Sequence, residues 1–544
     1  MTSNIKPSID QQTNIELEQI SKQAKLGIKQ YFLSDDQRAT NFSRSIENLT
    51  FDFSKTHISS SLVATYTNYA NEIKFIDKRH ALFTGKKINV TEDRSVLHTL
   101  LRDANNQGDA LENDGLMEQA QSARKQLSTK YQSIMQVLDQ RKHAVTDIIH
   151  VGIGGSSLGT QLLFESLKEL NSAINIHFIG NIDAHQLVDV LSKCHVDTTL
   201  VIGVSKTFST AETLKNLKTI SNWFERNGKS DVFDSYYAVT ADVSNAQAFG
   251  IPTNNIVAFP TWVGGRYSVW SAVSLSAIIV LGIEKFESFL AGAAIVDEHF
   301  YKTDLQNNVC FIASALDHFY CNYMGSSAKA IFAYDYRLRS LVDYLQQLET
   351  ESNGKDRQIN GESVDQKTSP VVWGGVGTDV QHSVFQMLHQ GTSLIPAEFI
   401  LVKKPDHDLN DHHSELLANG LAQTAALLAG QDEEIVRSIN KDKQLSDTAI
   451  KAKIFSGDRP STTIVFDRLD AKSLGMLLAF YEHRTFSSGV LANINSFDQM
   501  GVELGKRLAN DLKPLLTGSE TPQFKENTTE FDQSTLALID LINE

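Results

Sequence analysis

Asp147-Ile-Ile-His-Val-Gly-Ile-Gly154 is the stretch on which the fold turns. Five residues of buried-strand character run straight into glycines, directly after a charged, heptad-like segment (102–140) that reads as helices. From there, strand-like segments at 174–179, 198–204, 235–240 and 255–259 alternate with helical stretches. Apolar strands separated by helices predict a parallel sheet covered on both faces. A second block of the same kind follows an apolar helical run at 269–281. It reads as a helix at 308–320, a strand at 329–334, a helix at 338–349, a glycine-rich loop at 373–377, a helix from about Gln381 and a strand at 398–402. Segment 463–466 is strand-like and 474–480 suits a buried helix. The chain is therefore expected to be α/β, with two related subdomains. Its first hundred-odd residues read as mostly helical, with Leu17, Ile20, Ala24 and Ile28 in one apolar stripe. The polar tail at 512–532 carries Pro514 and Pro522. It leads to an apolar helix at 536–542 that must pack on the chain's own body or on a partner subunit.

At 544 residues the chain needs more than one core. Fifty Lys and Arg against 65 Asp and Glu give a net charge of −15, which argues against a nucleic-acid partner. The N-terminus lacks an apolar signal core and no stretch has membrane-spanning length, so a cytoplasmic protein is expected. Cys194, Cys310 and Cys321 form no metal-type pair and read as free thiols.

The most specific chemistry lies in Gly203-Val-Ser-Lys-Thr-Phe-Ser-Thr-Ala-Glu-Thr213. A strand feeds a helix through hydroxyls and an ammonium, which is how free amides and a helix dipole hold a phosphate dianion. Ser209-x-x-Glu212 also has the spacing of a capping box, which accounts for those two residues alone. Gly152-Ile-Gly154-Gly155-Ser156-Ser157-Leu158-Gly159 lacks the third glycine of a dinucleotide fingerprint and the Gly-Lys-Ser/Thr of a P-loop. It reads as a tight turn with two hydroxyls, suited to close packing or to a small polar ligand. Gly264-Gly265-Arg266 exposes a guanidinium fit for an anion, and Glu351, after a helix and before Gly354, is a candidate general base. The Asp406–His413 segment matches no EF-hand or two-histidine motif, so no metal is expected, and no serine sits in a nucleophile elbow.

Taken together these segments resemble the phosphoglucose isomerase family. The resemblance runs nearly end to end, through Leu82-Phe-Thr-Gly-Lys-Lys-Ile-Asn-Val, the two loops above, Gly264-Gly-Arg-Tyr-Ser-Val-Trp-Ser271, Glu351-Ser-Asn-Gly-Lys355, Gln381-His382 and Phe497-Asp-Gln-Met-Gly-Val-Glu-Leu-Gly-Lys506. It implies two α/β/α sandwich subdomains of the sugar-isomerase type with mainly parallel sheets. They would occupy 116–282 (small) and 283–511 (large), with a helical N-terminal part at 1–115 and a C-terminal arm at 512–544. It implies interconversion of glucose 6-phosphate and fructose 6-phosphate without metal or cofactor. Glu351 would be the base, His382 with Lys506 would open the sugar ring, and Arg266 would stabilise the intermediate. Ser205, Lys206, Thr207 and Thr210 would hold the phosphate, while Ser156, Glu212, Gln347 and Gln499 would line the sugar. The histidine would come from the neighbouring subunit, making a homodimer with shared sites. Three segments depart from the family pattern: Ser157 replaces an aspartate, Thr350 a methionine, and in the third Asp379-Val380 replaces an Asn-Gly and Val384 a phenylalanine. None is a proposed catalytic group. A non-catalytic sugar-phosphate sensor would need the phosphate loop but no base, and tolerance for mannose 6-phosphate is open at this point.

Overall fold

A computed structural model describes residues 10–102, 111, 114–441, 445–517 and 531–544. Parts of the expected 102–140 helices and of the 512–532 tail lie outside these residues. Eleven strands occur among the described residues: β1 (Ser43–Ile46), β2 (Leu49–Asp52), β3 (Asp147–Val151), β4 (Asn175–Ile179), β5 (Thr199–Val204), β6 (Tyr236–Thr240), β7 (Ile256–Ala258), β8 (Ala328–Tyr334), β9 (Val371–Val376), β10 (Ala397–Val402) and β11 (Ser461–Phe466). They form a five-stranded sheet, β4-β3-β5-β6-β7, and a six-stranded sheet, β1-β2-β11-β10-β8-β9. The first is wholly parallel. The second is parallel from β11 to β9 and antiparallel through β1 and β2.

The central strands are buried at every position because helices cover both faces. β3, β5, β6 and β10 expose nothing. Helix Ala211–Arg226 lays Leu217, Ile220 and Phe224 on the small sheet's core. In the other half, helix Ala471–Leu491 is buried on almost every face, which suits a central helix rather than an amphipathic surface one.

Several expectations needed correction. Residues 373–377 are not a loop: Val371–Val376 pairs with β8. Gly374 lies opposite Ile331 at φ 143°, and a Cβ there would sit 2.0 Å from the Ile331 carbonyl. Glycine lets the two backbones close, so here it makes the strand possible instead of ending it. The N-terminal part is not only helical. Leu49, Phe51 and Phe53 alternate inward on the β1–β2 hairpin, which pairs with β11. The 269–281 run is helical only over Leu275–Leu281, after short 3₁₀ turns. The 338–349 helix starts later, with an α-helical part at Leu341–Gln346, and continues as a π-helical turn at Gln347–Glu351. The helix expected from Gln381 starts at Phe385, after a 3₁₀ turn at Asp379–His382.

Two compact units divide the chain, Met1–Ser496 and Phe497–Glu544. Among its described residues the second holds helices Glu503–Leu516 and Gln533–Asn543 with the 3₁₀ turn Met500–Val502. No helix among the described residues is long and apolar enough to cross a membrane.

Candidate active site

In a parallel sheet all strands end on one edge, and the loops there share a crevice where the chain changes winding direction. In the five-stranded sheet that point lies between β3 and β5, since β4 is added on one side and β6 and β7 on the other. The loop after β3 is Gly152–Ser157 and the loop after β5 is Ser205–Thr210. The sequence places its two ligand-type loops side by side.

The β5 loop is fixed from within. Ser205 Oγ lies 3.0 Å from Thr210 Oγ1, and Thr207 Oγ1 lies 2.7 Å from Ser209 Oγ. The Lys206 carbonyl accepts from Ala241 N at 3.0 Å, and the Thr207 carbonyl accepts from Asn245 Nδ2 at 2.9 Å. Phe208 is buried at φ 46°, a rare conformation for a bulky residue. Its ring packs near Gly203, where a Cβ would meet Phe208 and Leu217. Thr210 caps the Ala211–Arg226 helix in an extended conformation with no side-chain capping bond, so the Ser209–Glu212 capping box is not formed. The helix N-terminus is left open beside the hydroxyls. Lys206 donates to the Val263 carbonyl at 3.0 Å, and burial, helped by Arg94, pulls its ammonium down to about 8. Glu212 is half-buried in the first helical turn.

The β3 loop turns through Gly154 at φ 56° into a 3₁₀ turn, Gly154–Ser156. His150, buried on β3, donates from Nε2 to the Ser156 carbonyl at 2.7 Å, so Nδ1 takes the Ser276 hydroxyl at 2.8 Å. Burial brings this imidazole down to about 4, and it is neutral at ordinary pH. Gly155 packs on the loop after β7: a Cβ there would fall 2.2 Å from the Gly265 carbonyl carbon. That contact seats Arg266. The guanidinium donates from Nε to Ser352 Oγ at 2.7 Å, from Nη2 to the Ser496 carbonyl at 2.7 Å, and from Nη1 to Glu351 Oε1 at 3.1 Å. Glu351 Oε2 accepts from Gln347 Nε2 at 2.8 Å, and Gln347 lies over Gly154. The Arg266 side chain is 2% exposed and that of Glu351 23%, so a buried cation faces a carboxylate that a ligand can reach.

The structure thus joins Gly154, Arg266, Gln347 and Glu351 in one cluster, with Ser156 on the same loop as Gly154. The Ser205–Thr210 loop follows the strand adjacent to that loop. His382 is exposed, on the turn after β9, and no hydrogen bond joins it to Glu351 or Gln347. Gln499 and Lys506 belong to the second unit, where Lys506 Nζ is exposed and 3.0 Å from Glu503. Sequence reasoning missed His150, Ser352, Tyr267 (whose hydroxyl lies 3.0 Å from Ser352 Oγ) and the Ser496 carbonyl. Ser352, Tyr267 and the Ser496 carbonyl act through partners far along the chain, and His150 through Ser156 six residues on and the distant Ser276, so only Ser352, adjacent to Glu351, and His150, ahead of the glycine loop, carried any local signal. Ser157 is buried and makes no side-chain capping bond to the helix that follows.

One mixed group of metal-ligand types occurs among the described residues: Asp147, His177 and Cys194, with ligand atoms within 4.8 Å of one another. Asp147 already accepts from His177 at 2.7 Å and from Thr146 at 2.7 Å. Burial, with the Asp147 charge, pushes the Cys194 thiol up to about 11, leaving it protonated.

A family model described as phosphoglucose isomerase matches residues 52–539. Glucose-6-phosphate isomerase of Sphingopyxis alaskensis is 40% identical over 506 residues, covering 93% of each chain. The enzyme of that name from Zymomonas mobilis is 39% identical over 524 residues, covering 96% of each. Among solved structures, a glucose-6-phosphate isomerase from Chlamydia trachomatis superposes with a TM-score of 0.83 at 27% identity, covering 99% of this chain and 100% of that one.

Proposed function

The chain belongs to the phosphoglucose isomerase family and interconverts glucose 6-phosphate and fructose 6-phosphate, and we propose that Glu351 is the base that moves the proton between C2 and C1. The observation that carries this assignment is the Glu351 carboxylate held between Arg266 and Gln347, accessible on one side and bounded by a buried guanidinium. Removing the C2 proton leaves an enediolate. A fixed cation beside the developing oxyanion stabilises it without reorganisation, which suits Arg266. One carboxylate serves both transfers because C1 and C2 are adjacent on one face of the substrate. Ring opening cleaves the bond from the anomeric carbon to the ring oxygen as a proton moves to that oxygen, and the isomerisation itself moves only protons, so the chemistry requires no electron carrier.

The phosphate would sit on Ser205, Lys206, Thr207 and Thr210 at the start of the Ala211–Arg226 helix, with Glu212, Ser156 and Gln499 beside the sugar. Ring opening needs a proton donor and acceptor near O1 and the ring oxygen. His382 has the right chemistry, assisted by Lys506. Its exposure, and the lack of a bond to Glu351 or Gln347, favour a role in the site of a second copy. The active form is then a homodimer with shared sites. The reading of a small and a large subdomain is supported by the presence of two separate sheets, and it extends to a cytoplasmic location, where sugar phosphates are made and consumed.

The test is incubation with fructose 6-phosphate in deuterated water. The parent should form glucose 6-phosphate labelled at C2, and Glu351→Gln should bind substrate yet lose several orders of magnitude in both turnover and label. A variant within about tenfold of the parent would remove Glu351 from this role, since tenfold is only ~1.4 kcal/mol of barrier.

A further inference from the structure

Gln347 and Glu351 are carried by a single π turn that continues the Leu341–Gln346 helix. Such turns are rare and are found chiefly where function needs a side chain re-aimed, so something outside the turn must hold this one. Its polar side chains divide in two directions. Gln347 and Glu351 meet each other beside Arg266. Glu349, two residues from each, is buried and points away from them. Its Oε2 pairs with Lys329 Nζ of β8 at 2.8 Å, and its Oε1 with Arg484 Nη2 of the Ala471–Leu491 helix at 2.7 Å.

The same two cations have other partners. Lys329 pairs with Asp317 at 3.0 Å; Arg484 pairs with Asp317 at 3.3 Å and with Glu398, which also accepts from the Tyr481 hydroxyl. Two cations therefore face three carboxylates. Neither Lys329 nor Arg484 needs Glu349 as its counter-charge, and a third buried carboxylate is a desolvation cost without a neutrality gain. Burial alone would raise the Glu349 carboxyl, but Lys329 and Arg484 outweigh it and keep the group below the usual carboxylate range. It stays an ionised, two-armed tie at neutral pH.

We infer that Glu349 is a positioning residue: by tying the back of the π turn to Lys329 and Arg484, it sets where the Glu351 carboxylate stands against Arg266. The inference rests on Glu351 being the base, and reaches the chemistry only through it. Losing the tie frees the turn without touching the phosphate loop, which hangs from β5 in the other sheet. The signature is a fall in kcat with substrate binding held.

The experiment compares Glu349→Gln, Glu349→Asp and Glu351→Gln for kcat, for KM with fructose 6-phosphate, and for the affinity of sorbitol 6-phosphate, which has no carbonyl to react. Glu349→Gln is expected to lower kcat by roughly 10–100-fold, as for a misplacement near 1 Å, with KM and sorbitol 6-phosphate affinity within about twofold. Glu349→Asp, which keeps the charge, should recover part of the loss. Parental kcat in Glu349→Gln, or a fall in kcat that disappears once turnover is expressed per folded active site counted by sorbitol 6-phosphate titration, overturns the inference. Should Glu349→Gln not fold, Lys329→Met removes one arm and leaves Arg484 on Glu349; unchanged kcat there overturns it equally. Retained activity in Glu351→Gln would defeat the assignment of the base instead, whatever Glu349→Gln does, so the two failures are distinguishable.

Discussion

Gly155→Ala should disable the enzyme by displacing Arg266. The new methyl would lie 2.2 Å from the Gly265 carbonyl carbon, 2.4 Å from its oxygen and 2.6 Å from Arg266 N. All three are backbone atoms, so no side chain can rotate aside. Restoring a carbon–carbon separation near ~3.5 Å requires the two loops to part by about 1.3 Å. Ser352 and Ser496 hold the far end of the Arg266 side chain, so the displacement enters at its backbone. The 3.1 Å Arg266–Glu351 contact would then pass beyond hydrogen-bond range. A shift of this size is worth roughly 10²-fold in kcat, and the overpacking itself about 1–3 kcal/mol of stability. Gly265→Ala is the matched control. Its methyl would meet only Gly155 Cα, at 3.8 Å, an ordinary contact. Fructose 6-phosphate turnover in a coupled dehydrogenase assay, with thermal unfolding alongside, compares the pair. Gly155→Ala within threefold of the parent, or Gly265→Ala falling as far as Gly155→Ala, would refute the reasoning.

Three further outcomes are expected. The Lys206 ammonium, brought to about 8 by burial, loses its charge as pH rises through that value, while the substrate phosphate stays a dianion; KM should therefore climb above pH 8, by up to ~10-fold per unit, and Lys206→Met should show a raised, flat KM over pH 7.5–9.5. An equal slope in the variant would assign the pH dependence elsewhere. Mixing inactive His382→Ala with inactive Glu351→Gln should recover activity as subunits exchange, because one hybrid site holds both intact residues; no recovery despite demonstrated exchange counts against shared sites. His150→Phe, which takes away the donor to the Ser156 carbonyl, should cost about 1–3 kcal/mol of stability, read by denaturant midpoint, and an unchanged midpoint would show that this buried carbonyl does not depend on the imidazole.

What the sequence disclosed follows from how local each signal is. Strands such as Asp147–Val151 and Thr199–Val204 were readable because a parallel strand covered on both faces is mostly apolar rather than alternating. β9 was not, because glycines that end one element can let another approach its neighbour, and only the position of Ile331 tells which. The β1–β2 hairpin was legible in principle, since Leu49, Phe51 and Phe53 alternate, but its pairing with a strand some four hundred residues later was not. The loops at 152–159 and 203–213 spoke for themselves as ligand-type turns. Glu351 and Arg266 were legible one at a time, as a candidate base and an anion-binding guanidinium, but the 3.1 Å contact between residues 85 apart is made by the fold, and the role proposed for His382 came through resemblance alone. Glu349 looked like one more helical glutamate, and nothing short of the positions of Lys329 and Arg484 distinguishes it.

The left-handed Phe208, pinned beside Gly203, has a bearing on affinity. Ordering a six-residue loop such as Ser205–Thr210 costs roughly 1–2 kcal/mol per residue in backbone entropy, or about 6–12 kcal/mol in all. A micromolar ligand has only ~8 kcal/mol of binding free energy altogether. Were this loop left to close around each arriving phosphate, its ordering alone could consume that sum. On the proposed reading of Ser205–Thr210 as the phosphate site, a hydrophobic plug inserted once, at folding, means that successive substrates would meet a receptor already cast in shape. Each turnover then releases product without having to melt what the next one needs.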